Sequence, residues 1–147
     1  MAIRMRVVTR ALAAAFLAVA SACSTDDEPF VVPTYESIVG AYSLYLVNGG
    51  SIPFLAAADG VQRVEIVSGS ITMNSDRIIT DVLTLRVSRV DGTGTPTEIP
   101  ESRTGTFTIE GGFVIAAYDG EAEPTRITVT NSQLTRSVTS FVLSYRK

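Results

Sequence analysis

The chain has 147 residues, the length of a single domain, and it contains no histidine, no tryptophan and one cysteine. These counts exclude histidine-based catalytic triads, zinc sites built from histidine and cysteine, and ordinary haem ligation. Twelve basic and fifteen acidic residues give a formal net charge of −3. The composition names no substrate and no reaction.

The N-terminal segment 1–22 has the pattern of a signal peptide. Arg4, Arg6 and Arg10 form a basic region without acidic residues, and the apolar run 11–20 follows it. A membrane-spanning helix needs about 20 apolar residues, so this run is too short to be one. We therefore expect residues 1–22 to be removed from the mature chain.

The single cysteine, Cys23, follows this segment directly. The preceding residues Ala20, Ser21 and Ala22 resemble a bacterial lipobox. That resemblance implies cleavage before Cys23 and attachment of acyl chains such as palmitate to the new N-terminus. Ordinary secretion with a free cysteine is the alternative. A lone cysteine in a secreted chain has no internal partner, and its position behind the apolar run favours lipidation.

This reading implies a lipid-anchored protein of the bacterial cell envelope, whose membrane partner is reached through the N-terminal lipid. In lipoproteins of the enteric type, a serine after the cysteine, here Ser24, goes with delivery to the outer membrane, facing the periplasm or the cell surface. Residues 23–35 are polar, acidic and interrupted by two prolines, which predicts a tether before the domain 36–147.

Removal of the signal peptide changes the charge balance of the chain. Three of the twelve basic residues leave with it, so nine basic residues remain against fifteen acidic ones and the net charge becomes −6. An acidic surface without a basic stripe is the wrong electrostatic footprint for nucleic acid. We expect no nucleic-acid partner, and the sequence indicates no particular protein partner.

The mature domain has the pattern of an all-β fold. It is rich in β-branched residues, turn residues recur at short intervals, and no window of twelve residues shows a helical period. Eight strands are predicted, at 39–47, 62–74, 77–90, 98–110, 113–118, 125–130, 134–139 and 141–146. Consecutive strands with short turns favour a closed eight-stranded antiparallel up-and-down barrel, and a β-sandwich is the alternative.

Alternation of side chains along the third strand puts Ile79, Asp81 and Leu83 on one apolar face. A carboxylate there must be paired, protonated or at an open end of the barrel. The apolar segment 49–60 has two interpretations, a lid or plug over one barrel end, or an extra strand or helical turn that contributes to the core.

The order of five motifs resembles the lipocalin-like domains of small bacterial lipoproteins in the calycin group. The motifs are Gly40-Ala41-Tyr42, the segment 47–53, the segment 69–74, the segment 105–109 and the closing segment 141–147. The resemblance implies an eight-stranded barrel and a pairing of an aromatic residue on the first strand, here Tyr42, with a basic residue near the end, here Arg146.

Two non-enzymatic functions follow from this fold. A carrier would bind a small apolar ligand inside the barrel, with Asp81 as a polar anchor and Tyr42, Phe54 and Phe107 as further ligand-binding residues. A structural or interaction protein would have a filled barrel and would act through its surface. We expect no enzymatic activity, because no nucleophile–base pair can be drawn.

The acidic turn 119–123 does not change these expectations. Its three carboxylates match no defined calcium loop, and a solvated hairpin turn is the more common origin of such a cluster. We therefore predict no metal site, no cofactor and no catalytic residue.

Overall fold

The computed structural model describes residues 32–147. The predicted signal peptide, Cys23 and most of the predicted tether lie outside these residues. The described chain contains one short helix, α1 (Tyr35–Ile38), and ten strands in a single antiparallel sheet. The strands are β1 (Gly40–Val47), β2 (Gly50–Ser51), β3 (Phe54–Ala58), β4 (Gln62–Met73), β5 (Ile78–Arg89), β6 (Thr97–Glu110), β7 (Phe113–Tyr118), β8 (Thr125–Thr130), β9 (Gln133–Val138) and β10 (Phe141–Arg146).

Eight of the ten strands form a closed barrel. The order around it is β1, β10, β9, β8, β7, β6, β5 and β4, and β1 pairs with β4 to close the ring. Closure begins at Gly40, which lies opposite Met73, and continues to Ser43 opposite Ser70. The predicted all-β, eight-stranded antiparallel barrel is therefore confirmed, and its strands are the eight predicted from the sequence.

The segment 49–60 supplies the two additional strands. Beyond Ser43 the strands β1 and β4 separate, and β2 pairs with β1 while β3 pairs with β4. The turn between β1 and β2 contains Asn48 and Gly49, both with positive φ, as a tight hairpin requires. Of the two interpretations of this segment, the structure has the extra strand and not the plug.

Because the barrel is up-and-down, its turns alternate between two ends. The end where β1 begins, called here the α1 end, also carries the turns 74–77, 111–112 and 131–132. The opposite end carries the turns 48–49, 59–61, 90–96, 119–124 and 139–140. The chain enters the barrel at the α1 end, so any N-terminal tether is attached there.

Helix α1 packs on the barrel at this end. Thr34 caps the helix by accepting a hydrogen bond from the backbone N–H of Ser37, and the Ser37 hydroxyl accepts one from the N–H of Thr34. Ile38 is fully buried in the core, and its carbonyl accepts a hydrogen bond of 2.9 Å from the hydroxyl of Tyr42. Tyr35, the last residue of the predicted tether, begins this helix.

The core occupies the barrel interior, and side-chain alternation decides which residues reach it. Most inward positions are apolar and buried or partly buried, with Asp81 and Arg136 as charged exceptions, whereas the intervening positions are largely polar and more exposed. The largest fully buried side chains are Tyr42, Tyr145, Phe107, Ile38, Ile66, Ile71, Met73, Ile79, Ile127, Leu134, Leu143 and Val47.

The strands differ in length, and this breaks the symmetry of the barrel. β4, β5 and β6 have 12 to 14 residues, whereas β7 to β10 have 6 each. β6 pairs with β7 only from Gly105 to Glu110, so its first half pairs with β5 alone. The sheet therefore projects beyond the short strands at the opposite end.

Candidate functional site

A buried ionic cluster lies at the centre of the barrel. Asp81 on β5 and Arg136 on β9 are each 2% exposed. Alternation puts Arg136 inward between Leu134 and Val138, in the same way that it puts Asp81 inward from β5. Going around the barrel in either direction, four steps separate β5 from β9. The two side chains therefore come from opposite walls.

The two side chains meet inside the barrel. Nη2 of Arg136 is 2.8 Å from Oδ2 of Asp81, a direct ion pair. Nε and Nη2 of Arg136 also donate to the hydroxyl of Tyr145, at 3.2 and 3.1 Å. Tyr145 on β10 is fully buried. A charged side chain from β9 thus crosses the interior and is held at its far end by β5.

Arg103 extends the cluster from the interior to the surface. It lies directly opposite Asp81 on β6, and its Nη2 is 2.5 Å from the same carboxylate oxygen, Oδ2. Its Nη1 donates to Glu121 in the turn after β7, at 2.6 Å. The guanidinium also lies 4.2 Å from the ring centre of Tyr118. Asp81 is therefore a paired carboxylate, the first of the three states that its position allowed.

Three buried polar atoms in this cluster have no hydrogen-bond partner among residues 32–147. They are Oδ1 of Asp81, Nη1 of Arg136 and the hydroxyl oxygen of Tyr118. They belong to three different strands, β5, β9 and β7. The cluster therefore keeps unused hydrogen-bonding capacity even though its charges are paired.

The barrel interior changes the acid–base properties of these groups. Burial raises the pKa of Tyr118 well above its usual value near 10, and the negative charge of Asp81 adds to the rise. Burial also raises the pKa of Tyr145. Desolvation lowers the pKa of Arg103, but its hydrogen bonds with Asp81 and Glu121 raise it more, so the net shift is upward. At neutral pH these tyrosines keep their protons and the guanidinium keeps its charge.

The other residues predicted to bind a ligand lie elsewhere. Tyr42 is fully buried near α1, and burial raises the pKa of its hydroxyl. Phe107 is also buried there, with its ring centre 5.9 Å from that of Tyr35. Phe54 is half-buried on β3 and meets Phe141 edge-on, with ring centres 6.2 Å apart. The structure thus puts Asp81, Tyr42 and Phe107 inside the barrel and Phe54 beside β10.

The expected pairing of Tyr42 with Arg146 is wrong. Arg146 lies over the ring of Tyr45, with its guanidinium carbon 5.0 Å from the ring centre. The cation over Tyr42 is Lys147, whose Nζ is 5.2 Å from that ring centre and donates to the carbonyl of Ser37. The reason is strand parity, because Tyr42 points inward and Arg146, next to the buried Tyr145, points outward.

The sequence analysis did not predict Arg136 and Arg103 as members of this cluster. Arg136 carries the same signal as Asp81, a charge flanked two residues away by Leu134 and Val138 on an apolar face. Matching these two opposite charges would have suggested an interior ion pair. Predicting that Arg103 lies opposite Asp81 would have required the register between β5 and β6, which side-chain patterns do not define.

The acidic turn 119–123 contributes one carboxylate to the cluster. Glu121 pairs with Arg103, and no group of three or more metal-ligating side chains occurs among residues 32–147. Within the same range no helix is long and apolar enough to cross a membrane.

The fold and site together define a closed antiparallel β-barrel whose interior is crossed by a buried ion pair. Comparison with models of protein families, with curated proteins and with solved structures finds no match to this chain.

Proposed function

We propose that this chain is a lipid-anchored, lipocalin-like protein of the bacterial cell envelope whose filled barrel is a non-enzymatic structural or interaction module. The signal-peptide pattern and Cys23 support the anchor. The entry of the chain at the α1 end is compatible with it, since a tether from that end leaves the opposite end free for partners.

One observation carries the choice of a filled barrel. The ion pair between Asp81 and Arg136 joins opposite walls at 2.8 Å, so protein side chains occupy the interior at that level. Tyr145, which contacts Arg136, and Arg103, which contacts Asp81, fill further space at the same level. A channel for an apolar ligand would require these charges to separate in a water-poor interior, which is strongly unfavourable.

Binding of a small apolar ligand is the competing function, and its expected polar anchor argues against it. Asp81 is the acceptor for two guanidinium groups. An apolar guest would offer these groups no hydrogen bonds. The interaction role therefore fits the observed interior better than the carrier role.

The anchor is tested by metabolic labelling with a radioactive fatty acid in a bacterial host. Wild type should be labelled and should sediment with membranes, whereas Cys23→Ala should be unlabelled and released. Ser24→Ala is the matched control, since it changes the neighbouring residue and keeps the thiol. Equal sedimentation of wild type and Cys23→Ala would contradict the proposed anchor.

The filled interior is tested separately with an apolar fluorescent probe. Wild type should not enhance the fluorescence of 1-anilinonaphthalene-8-sulfonate or of a fluorescent fatty acid under native conditions. Saturable binding of the fatty acid to the native barrel, competed by unlabelled fatty acid, would favour the carrier function instead.

A further inference from the structure

The first half of β6, residues 97–103 and called here the β6 edge, is a sheet edge without a neighbouring strand on its outer side. It pairs with β5 on one side, and its ladder with β7 begins only at Gly105. All residues from Thr97 to Ser102 are exposed. Seven residues of such an edge are about 23 Å long, which is enough for a bound strand.

Strand parity identifies the backbone groups that face outward from this edge. The N–H of Phe107 donates to Arg77 on the β5 side, whereas the carbonyl of Thr104 accepts from Asp119 on the other side. Odd-numbered residues therefore bond to β5, and even-numbered residues point away from it. Glu98 and Ser102 present both a donor and an acceptor outward, and Pro100 presents an acceptor alone.

The side chains beside this edge combine an apolar position with an unpaired charge. Ile99 is 45% exposed and lies opposite Leu85 on the inner face of the projecting sheet. Two residues later Glu101 lies on the same face, opposite Leu83. Glu101 makes no ion pair with any residue of the described chain, in contrast to Glu98, which pairs with Arg86.

A second copy of this chain is a poor occupant of the edge. Symmetric pairing of two β6 edges would include Pro100 from both copies, so the new ladder would lack two backbone N–H donors. A peptide without proline would form a ladder that lacks only the one donor of Pro100 on β6. It would also bring the Glu101 carboxylates of both copies onto one face of the sheet, and like charges there are destabilising.

We infer that the β6 edge binds an extended, basic segment of a partner protein, which adds a strand to the sheet. The segment has an apolar and a basic side chain two residues apart, because these positions lie beside Ile99 and Glu101 when the strand pairs with β6. This inference deepens the interaction role proposed above and rests on it.

The test uses the purified full-length chain and a fluorescein-labelled heptapeptide, Thr-Val-Thr-Arg-Thr-Val-Thr, measured by fluorescence anisotropy. The peptide should bind. A version with glutamate in place of arginine should bind several-fold more weakly. A version methylated on alternate backbone nitrogens should not bind, because it cannot extend the ladder.

Two substitutions separate backbone pairing from side-chain contact. Ser102→Pro removes an outward N–H that makes no bond within the barrel, and it should weaken peptide binding about tenfold, while Ser102→Ala should not. Glu101→Gln should weaken binding by up to about fivefold, and Glu123→Gln, an exposed carboxylate off the edge, should have no effect. Amide exchange at Ser102 should slow when the peptide is present.

Three outcomes would overturn the inference. They are no binding of the arginine peptide at millimolar concentration, equal binding of the backbone-methylated peptide, and dimerisation of the chain that Ser102→Pro abolishes, which would make a second copy the occupant. None of these depends on Cys23 or on uptake of a fatty acid. Failure here is therefore distinguishable from failure of the proposed function.

Discussion

The ion pair between Asp81 and Arg136 is the interaction whose loss should cost the most stability. Both side chains are 2% exposed, and Asp81 also pairs with Arg103. Asp81→Asn keeps the size of the side chain and removes its charge, so two guanidinium groups lose their shared carboxylate. Removing one partner of a buried pair costs about 3–5 kcal/mol, because the other charge stays buried and unpaired.

That cost is a large part of the stability of a small domain, which is typically about 5–15 kcal/mol. For a domain of this size, each kcal/mol lowers the melting temperature by about 4 °C, so Asp81→Asn should lower it by about 12–20 °C. The loss of stability caused by Arg136→Met should lie at the lower end of this range, because Asp81 then still has Arg103 as its ion-pair partner.

Urea unfolding followed by far-ultraviolet circular dichroism measures these effects. The double variant Asp81→Asn with Arg136→Met should be more stable than the sum of the single losses predicts, with a coupling energy of about 1–3 kcal/mol. Glu98→Gln, which breaks the exposed pair with Arg86, is the control and should cost less than about 1 kcal/mol. If Asp81→Asn costs no more than this control, the pair does not hold the interior.

Four further predictions concern groups near the cluster and at the barrel rim. Tyr145→Phe removes the acceptor of two hydrogen bonds from Arg136 and should lower the free energy of unfolding by about 1–3 kcal/mol. Tyr118→Phe removes a hydroxyl that has no hydrogen-bond partner among the described residues, so its loss of stability should be smaller. Because burial raises the pKa of Tyr118, the wild type should lose stability as pH rises above 10, and urea unfolding of Tyr118→Phe on either side of that pH should show a smaller loss. Hydrogen bonds from the Arg89 side chain and then from Thr93 lower the pKa of Asp91 to about 2. The contribution of ionised Asp91 to the stability of the fold is therefore complete above pH 3.8 and is lost as pH falls towards 2. Titration of the Asp91 carboxyl followed by NMR should show a higher midpoint in Arg89→Gln than in wild type. Gly105→Ala would put a Cβ 2.6 Å from the Cα of Tyr118, and thermal unfolding should show a loss of at least about 1–3 kcal/mol, whereas Ala at Gly60, with open space around its Cβ, should cost less.

Side-chain alternation was sufficient to predict most of the barrel. Most strands alternate apolar and polar residues over much of their length, and most turns contain glycine, asparagine or aspartate, so strand bounds and facing positions follow largely from local chemistry. The same rule placed Asp81 in the interior. The one-turn helix α1 escaped prediction, because four residues are too few to show a helical period.

The wrong pairing of Tyr42 with Arg146 has a simple physical cause. A shift of one residue moves a side chain to the other face of its strand, so the cation over Tyr42 is Lys147 and not Arg146. The resemblance to lipocalin-like proteins suggested the type of contact but not its register.

By itself the sequence determined the all-β class, the number of barrel strands and the inward position of Asp81. Side chains alternate between the two faces of a strand, so neighbouring residues in the chain are sufficient to show this pattern. The tertiary structure decided which walls face each other, and so brought Arg136 of β9 to Asp81 of β5. It also left the first half of β6 without a neighbour. Both features depend on barrel closure and on the register between strands, which the alternation along a single strand does not define.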